Sequence, residues 1–278
     1  MLGYDEAAQT QVRSRFRLPA LLPERMRAFR RPRIYEELIF IGASYYLYSL
    51  IRNGVPTHER LAFHRARQVL AAEHWAHIDF ELTLNKALAG VGWLAQCADY
   101  YYATMHFAVT IGVLVWLYTR RPLQYRSVRS VLYATNIVAL IGFWLFPLAP
   151  PRLLQHPAFI DTVVKFHTWG SWGSSGVDAA SNQFAAMPSL HIGWSLWCAC
   201  AIVMLAERTW VRVLGALYPV VTCLVIMSTA NHYILDAAGG VVTLMIGFGI
   251  QRLLSGRPAF ASPPPTPAPA TAAVATAH

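Results

Sequence analysis

Six stretches of this chain, residues 34–52, 97–118, 130–149, 187–206, 210–230 and 232–253, are long and apolar enough to be read as membrane-spanning helices. The hydrocarbon core of a bilayer takes about 20 residues of helix. Composition agrees: 55% hydrophobic against 13% charged residues, with a mean hydropathy of +0.36, leaves too little polar surface to cover a soluble globule of 278 residues. The expected fold is all-α, a polytopic membrane protein of six transmembrane helices with short interfacial helices on the extracytoplasmic side.

The placement of charge orients these spans. A net charge of +9 raises nucleic acid as a partner, but eight Arg lie between Arg13 and Arg33 and four between Arg120 and Arg129, all in short flanks of hydrophobic stretches. Such flanks are cytoplasmic by the positive-inside rule, and Arg208, Arg212, Arg252 and Arg257 fall on the same side once six spans are threaded. No nucleic acid partner is expected. Both termini are expected inside a cell membrane, with 53–96, 150–186 and the turn near Asn231 outside. The first span follows an Arg-rich lead, is rich in Tyr and lacks a small-residue cleavage site, so it reads as retained. Cys97, Cys198, Cys200 and Cys223 lie in or beside spans, without zinc-like spacing.

Three segments follow from this threading: a basic cytoplasmic arm at 1–33 suited to anionic headgroups, a membrane domain at 34–254 and a disordered Pro/Ala-rich cytoplasmic tail at 255–278. The outer segment 53–96 carries Phe80, Leu84 and Leu88 at helical spacing beside Arg65, Arg67, Glu73 and Glu81, and reads as short interfacial helices. The outer loop 150–186 mixes Gly170, Gly173 and Gly176 with Trp169 and Trp172. It is either a lid or a passive connection.

Three polar words lie at the outer ends of different spans: Ala149-Pro150-Pro151-Arg152, Pro188-Ser189-Leu190-His191 and His232-Tyr233-Ile234-Leu235-Asp236. His232 and Asp236, four apart at the start of the last span, share one face if both are helical. A carboxylate bonded to one ring nitrogen leaves the lone pair of the other free to attack, with phosphohistidine as the product. An Asp inside an apolar span is usually paired or functional. His191 stands in the first turn of the fourth span, where unpaired N–H groups favour phosphate oxygens and an imidazolium can protonate a leaving group. Arg152 follows two prolines that stiffen the exit from the third span, and its planar guanidinium suits bidentate phosphate contact. A bland reading stands beside each: a solvated cap, a helix-start signal, a snorkelling Arg.

Taken with Phe146-Pro147-Leu148 and Met187, these words resemble the motifs of the type-2 phosphatidic acid phosphatase superfamily, over residues 97–253 and in family order. Within it the chain is most similar to the branch of inositol phosphorylceramide synthases and their bacterial relatives. The resemblance implies His232 as nucleophile, His191 as acid, Asp236 orienting the nucleophile, and Arg152 and Ser189 binding phosphate. It implies a metal-independent reaction without a cofactor on a phospholipid or other phosphorylated lipid. The phosphatase branch has Lys, Gly and Ser-Arg where this chain has Leu145, Leu190 and Val225-Ile226. Leu190 and His232-Tyr233 look like the synthase branch. Lys165 or His167 are candidates to replace the missing cations, against the alternative of solvated loop charges.

Asp99, Tyr102 and His106 form a helical stripe in the second span, with His106 about 10 Å deeper than Asp99. The stripe is either a structural hydrogen-bond network or a headgroup-binding wall. The leading function is thus a membrane lipid phosphotransferase or phosphatase at the extracytoplasmic leaflet, with inositol or another alcohol as acceptor, or inositol phosphate as the transferred group. The alternatives are a simple lipid phosphate phosphatase of the phosphatidic acid or polyprenyl phosphate type, a two-His, one-Asp metal centre, and a non-catalytic lipid-binding or transport protein.

Overall fold

The computed structural model describes residues 20–23, 27, 29, 31–54, 58–156, 158–168 and 184–262. Among these the chain is all-helical: α1 (Ile34–Asn53), α2 (Glu59–Trp75), α3 (Glu81–Ala89), α4 (Gly92–Arg120), α5 (Pro122–Leu145), a 3-10 turn (Pro151–Leu153), α6 (Thr162–Phe166), α7 (Leu190–Leu205), α8 (Thr209–Ser228) and α9 (Ile234–Ser255). Most of the basic arm, the Gly/Trp stretch of the outer loop and the end of the tail lie outside the described residues.

Four helices, α4, α5, α8 and α9, are long and apolar enough to cross a membrane. The other two expected spans are helical but fall short of that measure for different reasons. α1 has 20 residues, yet Glu36, Glu37 and its tyrosines lower its hydropathy. α7 is strongly apolar but only 16 residues long. It lies within the bundle, packed against α4, α5, α8 and α9.

One boundary differs from the expectation by eight residues, because α5 begins at Pro122 and not near 130. Counting apolar residues stopped at Arg126 and Arg129, but the helix runs through both. Pro at the first helical position loses no hydrogen bond there and has its φ preset. Arg129 is neutralised inside the fold by an ion pair to buried Glu37 of α1, beneath the rings of Phe40, Tyr125 and Tyr133. Tyr125 donates its hydroxyl to the same carboxylate. This cluster fastens α1 to the bundle.

The two largest apolar clusters among the described residues lie toward opposite ends of the bundle. The one toward the Arg-rich end joins Val113 and Leu117 of α4, Val128 and Val131 of α5, Trp197 and Ala201 of α7 and Leu244 of α9. Trp197 is fully buried and donates its ring N–H to Val128 O at 2.9 Å, so its polar atom is satisfied. At the opposite end Ala62, Ala66 and Val69 of α2 pack with Leu148, Ala149, Leu154, Phe159, Ala230 and Tyr233. The 53–96 segment is helical at α2 and α3, and α2 presses its small-residue stripe onto the end of the bundle that carries the polar words.

Candidate active site

Backbone hydrogen bonds lace the three polar words together before any side chain is considered. Arg152 N–H donates to Ala230 O at 2.9 Å, and Ser189 N–H donates to Asp236 O at 3.0 Å. Leu148 N–H reaches Phe184 O at 2.7 Å. The Tyr233 hydroxyl donates to Ala149 O at 3.2 Å. Each word thus fixes another to within the length of a peptide hydrogen bond. Close helix contact does the rest. A Cβ on Gly240 of α9 would lie 2.4 Å from Ser189 O, and one on Gly142 of α5 would lie 2.6 Å from Pro188 Cδ. Only glycine lets the Pro188-Ser189 turn sit between these two helices.

His232 and Asp236 meet, but not as neighbours on a helix face. α9 starts at Ile234, Tyr233 is its extended N-cap, and His232 lies before the helix. Asp236 reaches back from the first turn: its Oδ2 accepts from Tyr233 N–H at 3.1 Å and lies 3.3 Å from His232 Nδ1. With the ring proton on Nδ1, His232 donates to Asp236 and its Nε2 carries the free lone pair. Both residues are buried.

His191, the second residue of α7, brings its ring centroid to 5.5 Å from that of His232. Tyr102 stacks on His191 at 4.4 Å with an interplanar angle of 21°, and His106 meets it edge-on at 4.5 Å. His106 also lies 3.1 Å from Tyr102 O through Nδ1. Ser189 caps α7, with its hydroxyl buried and without a hydrogen-bond partner among the described residues. The first-turn N–H groups of α7 have no acceptor within their own helix.

Arg152 sits in the 3-10 turn, donates to Asn231 Oδ1, and places Nε 3.6 Å from Asp161 Oδ2. Asn231 is held in turn by Thr229, at 2.9 Å from its hydroxyl. Arg152 is therefore one residue away from His232 through a side-chain contact. From α2, Arg65 stacks its guanidinium 4.4 Å over Phe146 and donates to Leu145 O at 3.0 Å.

The stripe on α4 divides. Tyr102 and His106 face His191, whereas both oxygens of buried Asp99 accept hydroxyl hydrogen bonds at 2.6 Å, from Thr162 and Thr168. Asp99 therefore pins α6 and its exit to α4. Lys165 donates to Ala89 O at 2.9 Å at the C-terminal end of α3, and His167 closes α6 with a positive φ. Their geometry is that of loop fastening.

Sequence reasoning missed Glu73 and Glu81. Both are fully buried at the N terminus of α9, where Glu73 Oε1 accepts from Leu235 N–H and Glu81 Oε1 from Ile234 N–H, each at 2.8 Å. With Asp236 on Tyr233 N–H, three acids satisfy the leading backbone donors of this helix. Burial above all, then the nearby acids Glu81 and Asp236, raises Glu73 to about 8. A signal was present: Glu73 continues the stripe of Ala62, Ala66 and Val69, where an apolar residue was due. Among the described residues no group of three or more His, Cys, Asp or Glu is arranged to hold a metal ion.

No curated protein and no solved structure matches this chain. A family model does, over residues 67–250, a span that holds the three polar words, the α4 stripe, Glu73 and Glu81. On that match the chain belongs to the PAP2 superfamily.

Proposed function

We propose that this membrane protein of the phosphatase type transfers a phosphate-containing group of a lipid through a phosphohistidine on His232. The observation that carries the reading is the pairing of two imidazoles, His232 oriented by Asp236 and His191 at 5.5 Å, beside an arginine tied to the nucleophile's own turn.

In this reading His232 Nε2 attacks phosphorus, forming the N–P bond as the ester P–O bond breaks. His191 gives its proton to the departing oxygen, and Asp236 stabilises the positive charge that His232 acquires. Ser189, the first-turn N–H groups of α7 and Arg152 hold the non-bridging oxygens, which gain charge in the transition state. Tyr102, stacked on His191, fixes the plane of its ring. In the second half-reaction His191 removes a proton from the incoming acceptor, whose oxygen displaces His232. The chemistry needs no metal and no cofactor.

The acceptor we propose is an alcohol of the inositol type. Its support is the resemblance of Leu190 and His232-Tyr233 to the branch of inositol phosphorylceramide synthases and their bacterial relatives. Water in its place makes the protein a lipid phosphate phosphatase.

We further propose six crossings, α1 and α7 included, with both termini cytoplasmic and the site facing outward. Arg120, Arg121, Arg126 and Arg129 stand at the α4–α5 junction and Arg252 at the end of α9, whereas the polar words stand at the other ends of α5, α7 and α9. The arm at 1–33 and the tail at 255–278 then flank a membrane domain at 34–254.

The test is purified protein given a panel of phospholipids with and without inositol. Expected are inositol-dependent product, activity that survives chelation and falls with vanadate, and a trapped phosphoenzyme that His232→Ala abolishes. A phosphoenzyme on another residue refutes the nucleophile. Loss on chelation with copurifying metal refutes the covalent route. Full biological activity in cells of a folded, membrane-inserted His232→Ala protein makes this a lipid-binding or transport protein.

A further inference from the structure

Glu73 and Glu81 raise a problem of hydrogen-bond accounting that one proton solves. Each has one carboxyl oxygen on a backbone N–H of α9, and each has a second oxygen, Oε2, buried without a donor among the described residues. The N–H groups they accept from, Ile234 and Leu235, are consecutive on α9, so the two carboxyls meet at one helix turn. Two carboxylates only accept, so they cannot bond to each other, while a carboxylic acid and a carboxylate can. A single proton between them turns two orphan acceptors into one O–H···O⁻ bond, which is shorter and stronger than a neutral one. Leaving both ionised would put three negative charges around one helix turn, because Asp236 accepts from the adjoining N–H of Tyr233.

The titratable groups around the pair are Asp236 of α9, Tyr233 leading into α9 and Cys223 of α8, with His232 beyond Asp236 and bonded to it. The pair is also built from two different helices, Glu73 at the end of α2 and Glu81 at the start of α3, and their connection is held by Ile78 N–H on Glu73 O at 3.0 Å. An element that lies outside the polar words therefore reaches the nucleophile's turn through two side chains.

We propose that Glu73 and Glu81 are positioning residues, a buried carboxyl pair sharing one proton that clamps the first turn of α9 and so sets where Asp236 holds His232. The inference rests on His232 as the nucleophile. Neither glutamate touches the reacting atoms. They act through the register of α9: Ile234 and Leu235 are fixed by the pair, Tyr233 by Asp236, and His232 Nδ1 by the same Asp236 oxygen. Loss of the shared proton drives the two carboxylates apart and loosens that turn.

The experiment uses the full chain in detergent or vesicles, with infrared spectroscopy and steady-state kinetics. At neutral pH the folded protein is expected to show a protonated carboxyl band that disappears in Glu73→Gln. Glu73→Ala is expected to lose about 100-fold in kcat with little change in KM, the size of effect a misplaced reacting group produces. Glu73→Gln recovers most of that loss, because its amide oxygen still accepts from Leu235 N–H and its NH2 replaces the shared proton toward Glu81. Absence of the protonated carboxyl band, or a folded Glu73→Ala protein with unchanged kcat, overturns the proposal. His232→Ala run in parallel separates the two readings: if it stays active the nucleophile is wrong, whereas the infrared band reports on the pair irrespective of catalysis.

Discussion

Arg152 illustrates how a single side chain is defined by its neighbours. Its guanidinium answers Asn231 on one side and Asp161 on the other, so its remaining N–H donors are held in a fixed plane. Lysine offers a point charge without that fork. Arg152→Lys should therefore lower kcat/KM at least about tenfold, or about 1.4 kcal/mol of transition-state stabilisation, measured with the preferred phospholipid. His232 makes a sharper case. Replacing Asp236 by Asn keeps the shape but loses the charge that favours Nδ1–H and stabilises the cation, so kcat should fall by about 100-fold or more, with phosphoenzyme formation as the step that slows. Equal phosphoenzyme rates in both proteins would exclude the orienting role. At this scale the residue identities were legible in sequence, since Arg, two His and an Asp at apolar span ends are chemically conspicuous. Glu73 and Glu81 were not, because a glutamate in a polar outer segment looks solvated until its helix is seen to bury it.

Helix contacts carry the site as much as its polar atoms do. α7 and α9 approach so closely at Gly240 that an added methyl would meet the carbonyl oxygen of Ser189 at 2.4 Å. Backbone cannot rotate away as a flexible side chain can, so Gly240→Ala should destabilise by about 1–3 kcal/mol and reduce activity by moving Ser189 and His191 away from His232. Gly249, on the same helix, has nothing within 4 Å of its added Cβ. Gly249→Ala should be neutral or stabilising by up to about 1 kcal/mol, since alanine favours helix. Thermal unfolding and kcat of the two variants check the pair of expectations, and equal effects would mean that the close contact is unimportant. The helices themselves were readable from apolar runs to within a few residues, except where Arg126 and Arg129 concealed the start of α5. That lapse has a physical origin: a charge inside a span is tolerated when another helix supplies its counterion, and Glu37 is 92 positions away.

For the molecule as a whole, the acid cap predicts a pH dependence of stability. Glu73 binds its proton more tightly folded, at about 8, than at its ordinary value of 4.5. The folded state thus holds a proton that the unfolded chain has released, and stability declines as pH rises from 4.5 to about 8. Glu73→Gln should flatten that decline in melting curves; an unchanged slope would assign it to another group. Topology offers a second check: reporter fusions in the 150–186 loop should read as extracytoplasmic, and a cytoplasmic signal there would reverse the orientation. By itself the sequence determined that this chain is helical and apolar enough to span a membrane, where most of its helices run, and where its polar words stand, because apolar runs, Arg flanks and polar words are local patterns. Tertiary structure alone decided that Asp99 fastens a loop, that Tyr102 stacks on His191, and that Glu73 of α2 and Glu81 of α3 cap α9. These are pairings across tens to more than a hundred residues, and a residue's role there depends on which distant donor or ring the fold brings to it.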